Sequence, residues 1–254
     1  MSTLQNATPQ SIQYWLLFAY RWLVIAPFLA LSTAFFFVPV AILSLLGYPD
    51  TASRVFARLW ARTNAAVSLM SVETVGRERL DPTQSYVIVA NHQSLVDIYV
   101  LYGFLDADIK WVMKQELRSV PLLGYACEVM GHIYIDRSNT ESAIASIAAA
   151  RERIANGVSV VFFPEGTRSR DGSLRDFKRG AFRFAIDIDR PILPVTIHDT
   201  RRVLPSDTTE IVPGHVRLEI GEPISTTGLT QDDARRLSDD ARKQIEDALQ
   251  RNPN

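Results

Sequence analysis

The sequence predicts an α/β fold: a mixed, largely parallel sheet flanked by helices, with an N-terminal hydrophobic, membrane-seated helical segment. After about residue 72, short runs rich in Val and Ile alternate with helix-like segments. Such alternation is typical of a layered structure in which helices cover a parallel sheet. Residues 22–46, by contrast, form one long uncharged stretch. We therefore divide the chain into a membrane-associated helical segment, residues 1–70, and an α/β domain, residues 71–254.

Composition speaks against several classes of protein. The chain is 47% hydrophobic and 22% charged, so it can form a packed core. A net charge of -1 disfavours a general nucleic-acid-binding protein, which would carry a broad basic excess. The single cysteine, Cys127, lies in apolar sequence, so we expect a buried thiol without a catalytic role. No Cys/His spacing indicates zinc, and the sequence has no nucleotide-binding glycine motif and no serine-hydrolase elbow.

The N-terminal stretch is predicted to sit in a membrane. Residues 22–46 are long enough to cross a bilayer, because about 20 apolar residues suffice. Pro27 and Pro39 interrupt the run, so two short helices that break at proline and lie in one leaflet are an alternative. Aromatic residues around Trp15 and Trp22 are typical of a membrane interface. A buried hairpin in a soluble core is a third interpretation.

Three arginines follow this stretch with a spacing of four residues: Arg54, Arg58 and Arg62. On a helix they form one basic stripe. Beside a membrane segment, such a stripe suggests contact with anionic headgroups on the cytoplasmic side. An ordinary solvated helix face is the alternative.

Seven strands are predicted in the second part of the chain, each short and bounded by Gly, Pro, Asp or Asn. They cover residues 72–76, 86–90, 109–113, 132–136, 158–163, 192–198 and 216–220. Between the fourth and fifth strands, Ser138 and Glu141 predict the capping box of a helix. A last helix is predicted to begin after Thr230, with an apolar stripe from Ala234 to Leu249.

Two polar motifs follow predicted strands and are expected to share one cleft. His92 and Asp97 come after the second strand, and Phe-Pro-Glu-Gly-Thr-Arg-Ser at 163–169 comes after the fifth. Ligands of parallel sheets sit beyond the carboxyl ends of the strands. With His92 in the turn and Asp97 in the first helical turn, the carboxylate can hold one imidazole nitrogen and leave the other as a general base. A histidine that merely caps the helix is the alternative.

The second motif is typical of an anion site. Gly166 permits a tight turn and close approach of a ligand, and Arg168 can bind phosphate oxygens with its guanidinium group. A turn with a surface arginine is the alternative. The local excess of positive charge downstream, which includes Lys178, suggests an anionic substrate.

Two basic residues at other strand ends point to the same cleft. Arg137 follows the fourth strand, where it could reach the same anion or simply pair with Asp136. Lys114 follows the third strand, and a solvated lysine is an equally good interpretation of it.

These residues resemble the motifs of the glycerolipid acyltransferase family, in particular its bacterial 1-acyl-glycerol-3-phosphate acyltransferases. The family motif Asn-His-x-x-x-x-Asp is matched at 91–97, and Phe-Pro-Glu-Gly-Thr-Arg-Ser is matched in full at 163–169. Gly-x-x-Phe-Ile-Asp-Arg is matched at 131–137, with Tyr134 in place of the phenylalanine. A proline-rich apolar block lies at 191–195, and residues 114–124 resemble the family's Lys-x-Glu-Leu…Pro-x-x-Gly stretch. Motifs in this order are far more specific than any one alone.

The resemblance implies acyl transfer from acyl-CoA or acyl-carrier protein to the sn-2 hydroxyl of 1-acyl-glycerol-3-phosphate, which makes phosphatidate for phospholipid biosynthesis. His92 would be the general base, and Asp97 would orient it. The implied substrate-binding residues are Asn91, Lys114, Arg137, Glu165, Gly166, Thr167, Arg168 and Lys178. No metal or other cofactor is implied, because a thioester already has a good leaving group.

The resemblance leaves the acceptor open, since glycerol-3-phosphate or another lysolipid is the alternative within the family. The implied partners are lysophosphatidate, the acyl donor and membrane lipids, with no nucleic acid. The implied location is the cell inner membrane, with the active site facing the cytoplasm. An inactive lipid-binding protein and a soluble phosphate-ester hydrolase are the competing classes; the intact His92–Asp97 pair disfavours the first and the apolar N-terminus the second.

Overall fold

A seven-stranded sheet forms the centre of the protein in the computed structural model, which describes residues 12–136, 146, 151, 154 and 157–251. The strands are β1 (Met70–Val75), β2 (Val87–Ala90), β3 (Asp108–Lys114), β4 (Ile133–Ile135), β5 (Val158–Phe162), β6 (Ile192–His198) and β7 (Gly214–Ile220). Their order is β1-β7-β6-β2-β5-β3-β4. All neighbours run parallel except β6 and β7. The predicted α/β fold is confirmed, and each predicted strand is present.

Helices cover both faces of this sheet. They are α1 (Ile12–Tyr20), α2 (Ala26–Leu45), α3 (Pro49–Ala52), α4 (Arg58–Val67), α5 (Asp97–Phe104), α6 (Leu123–Val129), α7 (Gly180–Asp187), α8 (Thr200–Val203) and α9 (Ala234–Arg251). Successive residues of β2 point to opposite faces of the sheet, and each face has its own hydrophobic core. Ile88 packs with α4, α5 and α6, whereas Val87 packs with α7 and α9. A parallel strand buried on both faces therefore shows a continuous run of apolar residues, as β2 does.

The N-terminal helix continues through both prolines. A π-helical stretch, Arg21–Ile25, joins α1 to α2, so helix extends from Ile12 to Leu45. Of the alternatives that the sequence left open, two short helices that break at proline are therefore not what the structure shows. One reason is local: Ala26 donates its N–H to the carbonyl of Arg21, and this wider turn comes just before Pro27, which has no donor of its own. The run has 34 residues and a mean hydropathy of 2.3, which is long and apolar enough to cross a membrane.

One side of this long helix is fastened to the rest of the protein. The buried Arg21 side chain donates from Nε to the carbonyl of Ile211, 2.9 Å away. Further along, Trp60 of α4 donates its indole N–H to Thr33 Oγ1 at 3.1 Å, and Ser32 is hydrogen-bonded to Asn64. The helix therefore lies along α4 instead of standing free.

The opposite side of α2 is apolar and exposed. Large side chains recur there with helical spacing at Leu31, Phe35, Val38, Ile42 and Leu45, and each is more than half exposed. The exposure of these side chains, in the part of the chain that the structure describes, is the pattern expected of a helix that lies against lipid.

The basic stripe contacts acidic residues of the α/β part. Arg58 and Arg62 both pair with Asp106, at 3.1 and 3.5 Å, and Arg54 lies 3.6 Å from Asp108. Asp106 also pairs with Arg77. The stripe thus ties α4 to the connection between α5 and β3. These ion pairs differ from a freely solvated face, and the headgroup contact stays a prediction.

Other local predictions have mixed outcomes. Thr230 and Asp233 form a capping box before α9, and the predicted apolar stripe is buried at Ala234, Leu237, Ala241 and Ile245. Cys127 is free and buried, as expected, and burial raises the pKa of its thiol to about 12. The helix capped by residues 138 and 141 lies outside the described residues. The domain boundary at residue 70 stays a prediction, although α4 ends at Val67 and β1 begins at Met70.

Candidate active site

Neighbouring strands bring both polar motifs to one edge of the sheet. β2 and β5 pair in parallel with Val89 opposite Phe162, so the residues that follow each strand lie side by side. His92 follows β2 and Glu165 follows β5, and the backbone N–H of His92 donates to Glu165 Oε1 at 2.7 Å. The two motifs therefore meet at one edge of the sheet, as the sequence predicts.

The centre of this site is a buried carboxylate that holds a histidine. Nδ1 of His92 lies 2.7 Å from Oδ2 of Asp97, the first residue of α5. The same oxygen accepts backbone N–H groups from Gln93 and Ser94, at 2.8 and 2.9 Å. Asp97 is fully buried, whereas the His92 side chain is 16% exposed. Because the carboxylate accepts, Nδ1 carries the proton, and Nε2 has no hydrogen bond from any residue that the structure describes.

Aromatic stacking fixes the plane of this imidazole ring. Phe163 stacks on His92 with ring centroids 3.9 Å apart and planes inclined by 11°. Trp111 of β3 stacks behind Phe163, at 5.9 Å. Sequence reasoning did not assign Phe163 a role at the site. The available signal was its position at the end of β5, beside the strand that leads into His92.

The Glu165 side chain is hydrogen-bonded to backbone groups on both sides of the site. Its carboxylate is buried, and its oxygens accept N–H groups from His92 and from Arg175, at 2.7 and 3.1 Å. Burial raises the pKa of this carboxyl above its usual value. These contacts join the turn at His92 to the loop before α7, and the predicted substrate contact of Glu165 stays a prediction.

Asn91 is engaged in a similar way. Its side-chain amide donates to the carbonyl of Ile197 at 2.9 Å and accepts from the N–H of the same residue at 2.8 Å. This paired contact ties the end of β2 to β6, and the residue is buried. The predicted substrate contact of Asn91 therefore has no support in this geometry.

Positive side chains do lie next to the glycine turn. Gly166 has φ +75°, and a Cβ there would come within 2.9 Å of Lys178 Nζ, so the glycine allows the lysine to cross the turn. The Arg168 guanidinium lies 3.4 Å from Asp207, and Arg170 also pairs with that carboxylate. Asp207 is a counter-ion that sequence reasoning missed, because it follows Arg168 by 39 residues.

Three predicted residues remain. Thr167 is exposed on the turn. Lys114 is the exposed last residue of β3, and extending the β3–β5 register, Trp111 opposite Val161, brings it level with Pro164. Arg137 lies outside the described residues, so its role stays a prediction.

A separate cavity of about 600 Å³ opens at the opposite edge of the sheet. It is lined by the amino ends of β2, β3 and β5 and by Asp50 of α3. Buried Lys110 donates to Asp50 there at 2.7 Å. None of the predicted site residues lines this cavity. Among the described residues, no group of three or more His, Cys, Asp or Glu side chains could hold a metal ion.

Comparison with known proteins decides the family. Residues 71–198, half of the chain, match the family model described as Acyltransferase. This chain belongs to the Acyltransferase family. The matched span contains His92, Asp97 and the glycine turn, so the resemblance drawn from the motifs is confirmed.

Named relatives include plant and animal proteins. The chain is 36% identical over 173 residues to "1-acyl-sn-glycerol-3-phosphate acyltransferase alpha" of Mus musculus, which covers 67% of this chain and 61% of that protein. It is 33% identical over 210 residues to "1-acyl-sn-glycerol-3-phosphate acyltransferase BAT2, chloroplastic" of Brassica napus. This match covers 78% of this chain and 61% of that protein. The match thus spans about three fifths of the length of these curated relatives.

A solved structure of similar fold covers nearly the whole chain. It is the crystal structure of the 1-acyl-sn-glycerophosphate (LPA) acyltransferase PlsC from Thermotoga maritima. The TM-score is 0.65 at 26% identity, over 89% of this chain and 98% of that one.

Proposed function

We propose that this protein transfers an acyl group from a thioester donor to the sn-2 hydroxyl of 1-acyl-glycerol-3-phosphate, which makes phosphatidate. The pair of His92 and Asp97 carries the proposal, because it presents an oriented imidazole at the carboxyl edge of the sheet. Support comes from the mouse, Brassica and Thermotoga relatives, all named as acyltransferases of this acceptor.

In the proposed reaction, Nε2 of His92 removes the proton of the acceptor hydroxyl as its oxygen attacks the thioester carbonyl carbon. The tetrahedral intermediate collapses, the C–S bond breaks, and the leaving thiolate takes the proton back from the imidazolium. Asp97 stabilises the imidazolium and keeps the proton on Nδ1 throughout. The chemistry needs no metal, since a thiolate leaves readily.

The acceptor phosphate is proposed to bind at the glycine turn. Arg168 and Lys178 supply positive charge there, and Thr167, Lys114 and Arg137 complete the proposed set. Arg168 is held by Asp207 at 3.4 Å, which is long for a charge-assisted bond. A phosphate can therefore replace Asp207 as the partner of this guanidinium group.

We also propose that the long N-terminal helix lies in one leaflet, at the inner membrane, with the active site facing the cytoplasm. The helix contacts the rest of the protein from Tyr20, bonded to the carbonyl of Val67, through Arg21 and Ser32 to Val40. A helix fastened along so much of its length cannot cross the hydrocarbon core unless the polar domain enters it too.

Acyl transfer by the purified protein in detergent tests the activity. A long-chain acyl-CoA is supplied with lysophosphatidate, glycerol-3-phosphate or lysophosphatidylcholine, and thiol release is followed. We expect release with lysophosphatidate and little with the other two. Preference for another acceptor would replace the proposed substrate by the alternative within the family. If no acceptor works, acyl-carrier-protein donors are tested next, and failure with those as well would refute the enzyme activity.

A further inference from the structure

Apart from Leu95, the exposed large apolar side chains that the structure describes between residues 71 and 251 all lie in one short stretch, here called the 117–125 segment. Leu117, Val120, Leu122 and Tyr125 are 38–46% exposed. From residue 126 to residue 251, no large hydrophobic side chain that the structure describes is exposed. Scattered single apolar residues need no explanation, but a cluster of four in nine residues marks a contact surface.

The backbone displays Leu122 in a strained turn. Its φ and ψ are +63° and -54°, and the N–H of Leu123 donates to the carbonyl of Pro121 at 2.7 Å. This is a γ-turn with positive φ, a rare conformation that costs energy for a residue with a side chain. Such strain persists only where the surroundings enforce it, and it is enriched at functional sites.

Close packing holds this turn in place. A Cβ on Gly124 would lie 2.1 Å from the carbonyl oxygen of Arg118, so the chain folds tightly back on itself there. Arg118 also pairs with Glu128 of α6. On the inner side, Ala126 and Met130 are part of the core beneath the sheet. The exposed leucine is therefore held outward by a fixed scaffold.

The segment lies beside α2, next to Phe37, which is partly buried against the core and is not part of the exposed apolar face. The ring of Tyr125 lies 6.0 Å from that of Phe37 in α2, and α2 packs against α6. At the start of the segment, Lys114 is exposed and forms no ion pair with a residue that the structure describes. An apolar surface with a free cation at its edge is typical of contact with a bilayer that carries anionic headgroups.

We propose that the 117–125 segment is a second membrane contact, which enters the same leaflet as α2 through Leu117, Val120, Leu122 and Tyr125. This inference rests on the proposal that α2 lies in a bilayer. The segment directly follows the carboxyl end of β3, at the edge of the sheet that holds His92. With both contacts in place, the bilayer surface meets this edge, and a lipid acceptor reaches the cleft without leaving the membrane.

A fluorescent probe at single positions of the full chain tests the contact. Leu122→Cys, Phe35→Cys and Arg235→Cys are labelled with an environment-sensitive dye and mixed with vesicles of phosphatidylcholine and phosphatidylglycerol. Phe35 lies on the exposed face of α2, and Arg235 lies on α9, on the opposite side of the sheet. The buried native Cys127 is expected to stay unlabelled, and the unsubstituted protein serves as the control for this.

We expect the probes at positions 122 and 35 to shift to the blue and to be quenched by lipids carrying a nitroxide on the acyl chain, with no change at position 235. A probe at 122 that stays in water while 35 enters lipid would overturn the second contact and leave the first intact. If neither enters lipid, both proposals fail. A shift at 122 without vesicles, growing with protein concentration, would place a second copy on the segment and overturn a lipid contact.

A charged variant supplies a functional readout. Leu122→Glu keeps a side chain in the turn but places a carboxylate in the proposed contact. We expect vesicle affinity to fall by about tenfold or more, because burying a leucine side chain is worth at least that factor. Activity on a short-chain acceptor dissolved in water should be unchanged. Thr227→Glu, an exposed position after β7, is the matched control, and equal losses in both variants would contradict the proposal.

Discussion

Replacing Asp97 by asparagine removes one negative charge from the site and changes its shape very little. Oδ2 of Asp97 accepts all three hydrogen bonds, from His92, Gln93 and Ser94. Oδ1 is buried and has no hydrogen-bond partner among the described residues. The carbonyl oxygen of asparagine can therefore take the place of Oδ2, while its amide group replaces the oxygen that is not used.

The expected loss follows from the geometry. In the transition state the His92 ring becomes an imidazolium, in contact with the carboxylate through a 2.7 Å hydrogen bond. With charge centres about 4 Å apart and an effective dielectric constant of about 20, the attraction is about 4 kcal/mol. Removing it lowers kcat by about 10³-fold. The acceptor KM should change little, because the charge develops on the imidazole only in the transition state.

Thiol release under saturating substrates measures this effect. Asp108→Asn is the matched control: it changes an aspartate whose side chain is 8% exposed and whose Oδ1 also lacks a hydrogen bond from any described residue, but at the opposite edge of the sheet, and it should keep its rate. Circular dichroism checks that both variants are folded. A folded Asp97→Asn enzyme that loses less than tenfold in kcat would refute the role of the carboxylate.

Three further predictions concern the surroundings of the pair. Glu165→Gln should lower kcat by about tenfold or more at nearly constant acceptor KM, because one of the two charge-assisted hydrogen bonds to backbone is lost. A change in KM alone would instead make Glu165 a substrate contact. Arg168→Ala should raise the KM for lysophosphatidate by about 10- to 100-fold, whereas Asp207→Ala should lower it, and no change in either would move the phosphate elsewhere. Burial lowers the pKa of His132 to about 3. As the pH falls from about 6.5 towards 3, the unfolded chain binds a proton at this histidine and the folded protein does not. The free energy of unfolding therefore has its full value above about pH 6.5 and falls by about 1.4 kcal/mol per pH unit below it. His132→Gln should show a smaller loss in its urea midpoint between pH 7 and pH 5 than the wild type, and equal losses would contradict this origin.

The fold could be predicted because its local and global signals agree. Strands buried on both faces show continuous apolar runs, and residues 86–90 and 192–198 show them clearly. Those runs end in polar motifs, and these motifs indicate the position of the site. The prolines were a poor guide to where the helix breaks, because helix propensity describes an isolated helix without tertiary contacts. Here a π-helical stretch and packing against α4 carry the helix past Pro27 and Pro39.

Partners of polar groups could not be predicted in the same way. The sequence shows that Asn91 and Glu165 are polar and near the site, but not that both are hydrogen-bonded to backbone. It shows an aromatic residue at position 163, but not that its ring stacks on His92. Such facts depend on how loops distant in sequence meet, and neither periodicity nor local spacing encodes them.

The central claim is that His92 deprotonates the sn-2 hydroxyl of lysophosphatidate. We would test it with 1-palmitoyl lysophosphatidate in vesicles and an acyl-CoA whose chain carries a ¹³C label, for the wild type and for His92→Ala. Phospholipase A2 then releases the sn-2 chain for mass spectrometry. We expect labelled chain at sn-2 with the wild type and none with folded His92→Ala. Labelled product at a similar rate from the alanine variant would contradict it.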